Sequence, residues 1–189
     1  MILGVSMQFS RIPVLFFLLL TAFSQTAFAA IGRDPYTYFF NETWGNMQEE
    51  LAKAKLEGKQ GIFLFFEQEE CPFCHRMKKT VLNQPEVQAF FRKHFLNFSI
   101  DIEGDVDMVS FKGKELTQKQ FSEKINRVRA TPVMAFYDLK GNQVVRYTGA
   151  TSSVQEFLWL GEYFADGHYK NTNFTKFKRQ KKEAARQSQ

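Results

Sequence analysis

Gly61-Ile62-Phe63-Leu64-Phe65-Phe66, followed after Glu67 to Glu70 by Cys71-Pro72-Phe73-Cys74-His75-Arg76-Met77-Lys78-Lys79, decides the fold of this chain. The apolar block has the length of a buried strand, and the run after the cysteines reads as the opening of a helix. Cys71 and Cys74 are the only two cysteines in the sequence. Set at a strand-to-helix junction, such a pair can close a disulfide and reopen it. A thiol in the first turn faces unpaired backbone N–H groups and the positive end of the helix dipole, which stabilises its thiolate. The thiolate is the nucleophile of disulfide exchange, and the second thiol, one turn on, can attack and release the mixed disulfide. The stretch therefore implies redox chemistry.

Upstream, Asp34 to Phe40 reads as an extended lead-in. Asn41 or Thr43 is then placed to cap a helix in which Trp44, Met47, Leu51 and Ala54 recur at helical spacing, with Gly58 as its stop. That stripe reads as core packing. Downstream, the cysteine helix runs to about Leu82, where Asn83-Gln84-Pro85 breaks it. Pro85 suits the first turn of a further helix with Val87, Phe90, Phe91 and Phe95 on its apolar face. Phe95–Ile102 alternates as a strand and ends in the acidic run Asp101, Glu103, Asp105 and Asp107. The run lacks the glycine and the terminal glutamate of a calcium loop and reads as a solvated loop. Leu116–Val128 is expected as a helix, capped by Thr117, with Phe121 and Ile125 inward. Thr131-Pro132 opens a strand to Asp138, and Leu139 to Asn142 turns the chain into a hairpin partner, Gln143–Tyr147. Ser152 or Ser153 then caps a helix carrying Val154, Phe157, Leu158, Leu160 and Phe164. Strand, helix, strand, helix, hairpin, helix is an α/β order.

The length suits one domain with trimmings, and the 22 phenylalanines predict an aromatic core. The net charge of +5 is unevenly spread. After Gly167, seven Lys and Arg residues face only Glu183, a balance of +6; with Arg11 added, the portion 30–166 is left at −2. The high pI thus belongs to residues 167–189, expected as a flexible basic tail, a frayed helix or disordered. That tail suits a weak electrostatic contact with a membrane surface or an acidic partner. No nucleic-acid partner is expected, because the compartment argues against one. At the other end, Arg11, the apolar run from Ile12 to Ala22 and the small-x-small site Ala27-Phe28-Ala29 predict a cleavable signal peptide over 1–29. The run is short of the ~20 residues a spanning helix needs. The mature chain is expected in the periplasm or another exported, oxidising compartment, where a disulfide persists.

Cys71-Pro72-Phe73-Cys74 after a buried strand, together with Thr131-Pro132 opening a later strand before a hairpin, resembles the thioredoxin superfamily over roughly Trp44 to Phe164. It is most similar to exported thioredoxin-like proteins of the SoxW type, and the Cys-x-x-Cys-His-Arg run is also similar to the Dsb isomerases. The resemblance implies a thioredoxin-like fold, a central mixed sheet flanked by helices, with residues 30–166 as the domain. It implies a cis Pro132 beside the cysteines, and a Thr131 backbone that pairs with a substrate segment by strand addition. Cys71 is then the exposed attacking nucleophile and Cys74 the shielded, resolving thiol. Pro72 and Phe73 tune the redox poise, and His75, Arg76, Lys78 and Lys79 favour the thiolate against Glu67, Glu69 and Glu70. No cofactor is implied beyond the Cys71–Cys74 disulfide, and the implied partners are protein disulfides and a membrane thiol electron donor. Two positions depart from cytoplasmic thioredoxin. Glu70 replaces the tryptophan before the first cysteine, and Phe65 stands where a buried aspartate is usual, leaving Glu67 or a water to accept the proton.

The expected activity is reduction of protein disulfides, the alternatives being a Dsb-type oxidase or isomerase. Cys71-x-x-Cys74-His75 also matches c-type haem attachment, with both thiols in thioethers and His75 as axial ligand. The strand before it, the Thr-Pro strand after it and the α/β order argue against haem. A permanent staple is a weak alternative, because so short a loop removes little unfolded-chain entropy. A zinc site lacks two ligands, since His75, His94 and His168 show no ligand spacing.

Overall fold

The computed structural model of the chain describes residues 32–187, so the expected signal peptide lies outside the described residues. Helices α1 (Pro35–Tyr38) and α2 (Met47–Leu56) lead into strand β1 (Gly61–Glu67), then α3 (Pro72–Thr80), α4 (Pro85–His94) and β2 (Phe95–Asp101). A small hairpin, β3 (Asp107–Val109) and β4 (Glu115–Thr117), precedes α5 (Gln118–Gln120), which continues into a π-helical turn (Phe121–Ile125). Strands β5 (Val133–Asp138) and β6 (Gln143–Thr148) follow, then α6 (Val154–Ala165), a 3-10 turn (His168–Lys170) and α7 (Phe174–Gln187). The main sheet has the order β2-β1-β5-β6. β1 runs parallel to β2 and antiparallel to β5, and β6 is antiparallel to β5. This is the expected α/β architecture, a mixed sheet between helical layers.

All seven residues of β1 are buried, because helices cover both faces of this inner strand. Alternation sends Phe63 and Phe65 to the face shared with α3, α4 and α6, and Ile62, Leu64 and Phe66 to the face shared with α2. The first face is built of phenylalanine. Phe91 stacks on Phe157 with centroids 4.3 Å apart, and also meets Phe39, Phe63, Phe95 and Phe136. Glycine at position 161 permits this approach of α4 to α6. A Cβ there would lie 2.6 Å from Phe90 and 3.1 Å from Phe91.

Several expectations are corrected. Asp34 to Phe40 is not extended: the Asp34 carboxylate accepts from the Thr37 N–H and caps α1, with Pro35 in its first turn. Trp44 is not part of the apolar stripe. Helix α2 starts at Met47 behind the cap Asn46, whose Oδ1 accepts from the N–H groups of Gln48 and Glu49, and Trp44 is left 99 % exposed. Leu116 lies in β4, and only from Gln118 does the chain turn helical, capped by Thr117 as expected. The π-helical turn rotates Ile125 outward, to 45 % exposure, while Phe121 stays buried.

The basic C-terminal stretch is not a flexible tail. In α7, Phe174, Phe177, Lys178 and Lys181 share one face, which packs on α6. Phe177 is 5 % exposed with its ring 5.5 Å from that of Tyr163. Lys178 Nζ lies 2.6 Å from the buried Glu156 carboxylate, and Lys181 Nζ lies 2.6 Å from Glu162. Burial alone would raise the Glu156 pKa, but hydrogen bonds from Lys178 and Ser152 outweigh it and bring the group down to about 2. A carboxylate depressed on folding stabilises the fold fully above its ordinary 4.5 and loses that contribution as the pH falls towards about 2. Acidification through this window is expected to loosen α7, seen as faster hydrogen exchange over 174–187. Glu156→Gln should flatten the response; an unchanged pH profile in that variant would refute the role given to Glu156.

Candidate active site

β1 and β5 set the site. Phe66 pairs with Val133, so continuing the register places Pro132 and Thr131 beside Glu67 and Gln68, at the end of β1 from which the cysteine loop leaves. Thr131 Oγ1 donates to Gln68 Oε1 at 3.2 Å, tying the two loops together. The Thr131–Pro132 bond is cis, as the resemblance implies. Pro132 O accepts from the Gly149 N–H at 2.8 Å, which anchors the proline from the β6 side.

Cys71 is the N-cap of α3 and Pro72 fills its first position, where the missing N–H costs nothing. Cys71 Sγ accepts from the Cys74 N–H at 3.1 Å, so the sulfur caps a first-turn donor, as the sequence suggests. The two sulfurs are joined in a disulfide, with Cα atoms 5.2 Å apart. The expected exposure of Cys71 is corrected. It is only 3 % exposed and Cys74 is fully buried, both belonging to the buried cluster that also holds Phe65 and Met77. The rim is supplied by Phe73, 59 % exposed, with the Arg76 guanidinium 5.7 Å from its ring centre. His75 is exposed, and its Nε2–H donates to Glu69 O at 2.7 Å, drawing the loop before the cysteines onto the helix. The haem alternative requires both sulfurs for thioethers and the His75 ring for iron. Here the sulfurs hold each other and the ring holds Glu69 O.

Below the pair, alternation puts the Glu67 side chain on the same sheet face as Phe63 and Phe65. Its carboxylate meets Lys78 Nζ at 2.5 Å, accepts from Tyr36 Oη at 3.2 Å and is hydrogen-bonded by Ser99. Burial would lower the Lys78 pKa, but the bonds to Glu67 and Tyr36 outweigh it and hold the ammonium above its ordinary value. Glu67, a candidate for the missing proton acceptor, is thus already engaged by three side chains. Tyr36 comes from α1, and no local pattern marks its part, because the contact spans 31 residues. Lys78→Met leaves this carboxylate without its cation and is expected to cost about 3 kcal/mol in chemical denaturation. A cost below about 1 kcal/mol would show the pair to be screened like a surface one.

Among the described residues, no group of three or more His, Cys, Asp or Glu side chains is placed to hold a metal ion, and no helix is long and apolar enough to cross a membrane. The family model of the thioredoxin-like domain matches residues 47–165. Among solved structures, a thioredoxin-fold protein from Helicobacter pylori superposes with a TM-score of 0.54 at 23% identity, over 67% of this chain and 82% of that one. A candidate disulphide isomerase from Bacteroides thetaiotaomicron gives 0.51 at 26% identity, over 66% of this chain and 90% of its own. A protein described as DsbH oxidoreductase gives 0.50 at 19% identity, over 69% and 88%. No curated protein sequence matches the chain. A cysteine pair closed as a disulfide at the head of α3, within a domain of this type, is the arrangement of a thiol–disulfide oxidoreductase.

Proposed function

Because the chain belongs to the thioredoxin-like family, we propose that it is an exported thiol–disulfide oxidoreductase that reduces disulfides in other proteins. The observation that carries the reading is Cys71 Sγ at the N-cap of α3, accepting the Cys74 N–H. In the reduced state that place stabilises a thiolate through the first-turn N–H groups and the helix dipole. The Cys71 thiolate attacks one sulfur of a substrate disulfide, forming a mixed disulfide and releasing the other substrate thiolate. Cys74, having lost its proton, then attacks Cys71 Sγ. The second substrate thiolate leaves, and the Cys71–Cys74 disulfide closes. Two electrons pass to the substrate, and a thiol donor must return them. Thr131, half-buried before β5, offers its backbone to the substrate strand.

The surroundings favour a reductant. Lys78 is held by Glu67 and Arg76 lies over Phe73, while Glu69 and Glu70 are exposed just ahead of Cys71. With Lys78 and Arg76 engaged in this way the thiolate has less help from cations, and a less stabilised reduced form is the better electron donor. The leader over 1–29 supports export, with a membrane thiol carrier as electron donor. The exposed residues Lys176, Arg179, Lys182 and Arg186 of α7 suit a weak contact with an anionic membrane surface. The test is equilibration with glutathione buffers. A midpoint between about −200 and −270 mV is expected for a reductant; one near about −120 mV would make the protein an oxidant.

A further inference from the structure

Trp44 is 99 % exposed, yet the turn carrying it is fixed. The Gly45 N–H donates to Thr43 Oγ1 at 3.0 Å, Gly45 O accepts from the Val109 N–H at 2.9 Å, and Asn46 bridges to Val109 while capping α2. Gly45 has φ +84°, and a Cβ there would lie 3.0 Å from Asp107 O, so the turn requires glycine. The indole is therefore presented by a braced turn. It forms the wall common to two clefts, of about 540 and 650 Å³. Asp107 and Glu115 line the first; Glu42, Glu49 and Glu50 line the second, where Lys53 is the one cation among the lining residues of either. None of these five carboxylates forms an ion pair among the described residues. Glu50 is only 8 % exposed, and its Oε2 has no hydrogen-bond partner there. A buried carboxylate oxygen left without a donor is costly unless a ligand supplies one.

We propose that this face docks a Lys/Arg-bearing segment of a partner protein, with a cationic side chain seated on the Trp44 indole and within reach of Glu42, Glu49 and Glu50. Tryptophan is the best aromatic platform for a cation, and a weakly hydrated guanidinium suits an indole wall beside carboxylates. Tryptophan and arginine are also the residues that dominate interface energetics. The face lies on the α2 side of the sheet, away from the layer that holds Cys71 and Cys74, so it is a second binding surface and does not depend on the redox reading.

The test is calorimetric titration of the full chain with a synthetic nonapeptide alternating arginine and serine, beside its glutamate-for-arginine counterpart. Saturable binding of the arginine peptide alone is expected, weakened about tenfold or more by Trp44→Ala and by Glu42→Gln/Glu49→Gln. All three positions are at the surface, and circular dichroism checks that each variant is folded. Absence of binding, binding of both peptides alike, or affinity unchanged in either variant would overturn the proposal. Light scattering without peptide is the second arm. A concentration-dependent dimer abolished by Trp44→Ala would assign the face to a second copy of this chain, through its basic α7, and overturn the partner assignment.

Discussion

Cys71→Ser is expected to bring disulfide reduction down to the uncatalysed rate, a loss of roughly a thousandfold or more, in an insulin-precipitation assay driven by dithiothreitol. The size of the loss follows from the position of the sulfur. Cys71 is the cap of α3 and, at 3 % exposure, lies at the edge of the buried layer, whereas Cys74 is fully buried within the helix. A serine hydroxyl can keep the cap, so the fold is expected to survive; it cannot attack a disulfide at neutral pH. Cys74→Ser should behave differently. Attack by Cys71 still takes place, but nothing resolves its product, so substrate remains covalently joined to Cys71 and is released by added thiol. Turnover retained in Cys71→Ser, or adducts carried by Cys74 in the wild-type chain, would reverse the roles of the two cysteines.

Phe91→Ala is expected to cost about 3–5 kcal/mol in equilibrium unfolding by urea. The ring is fully buried and lies parallel to Phe157 at 4.3 Å, among Phe39, Phe63, Phe95 and Phe136. Its removal takes away the transfer free energy of an aromatic ring and leaves a cavity whose rigid walls come from four elements. Gly161 brings α4 within contact of α6, so neither helix can move in far to fill it. Phe73→Ala is the control. Its ring is mostly exposed at the cysteine rim, and a change within about 0.5 kcal/mol is expected. Similar costs for the two variants would mean that the aromatic layer is loosely packed and not the source of the fold's stability.

The part of the fold legible in the sequence is the part held by local pattern. The apolar block at 61–66, the Cys71-Pro72 helix start, Pro85 in the first turn of α4, the Thr131-Pro132 strand opening and the 139–142 turn each carry their signal within a few residues. Trp44 shows the limit of periodicity: the spacing 44, 47, 51, 54 fits a helix whether or not its first member belongs to it. Asn46 followed by Glu49 is the sharper sign: Asn46 Oδ1 accepts from the Glu49 N–H at 3.3 Å, the first half of a capping box, and Asn46 Nδ2 donates to Glu49 Oε1 at 2.9 Å. In the C-terminal stretch the Phe174, Phe177, Lys178, Lys181 stripe was hidden by basic composition, although those charges answer Glu156 and Glu162 on α6. β3 and β4 are too short to show a period, and their pairing depends on the tight turn at Gly113. At the site, the cysteines and the proline were legible as a motif. The Glu67–Lys78–Tyr36 set was not, because it joins a strand, a helix and a segment far upstream.

The most direct test of the redox assignment is to map thiol modification after brief alkylation of the reduced protein at neutral pH. Mass spectrometry should find the label on Cys71 first, with Cys74 modified only slowly or after unfolding. Label appearing first on Cys74, or on neither thiol while the protein stays folded, would contradict a nucleophile at the head of α3.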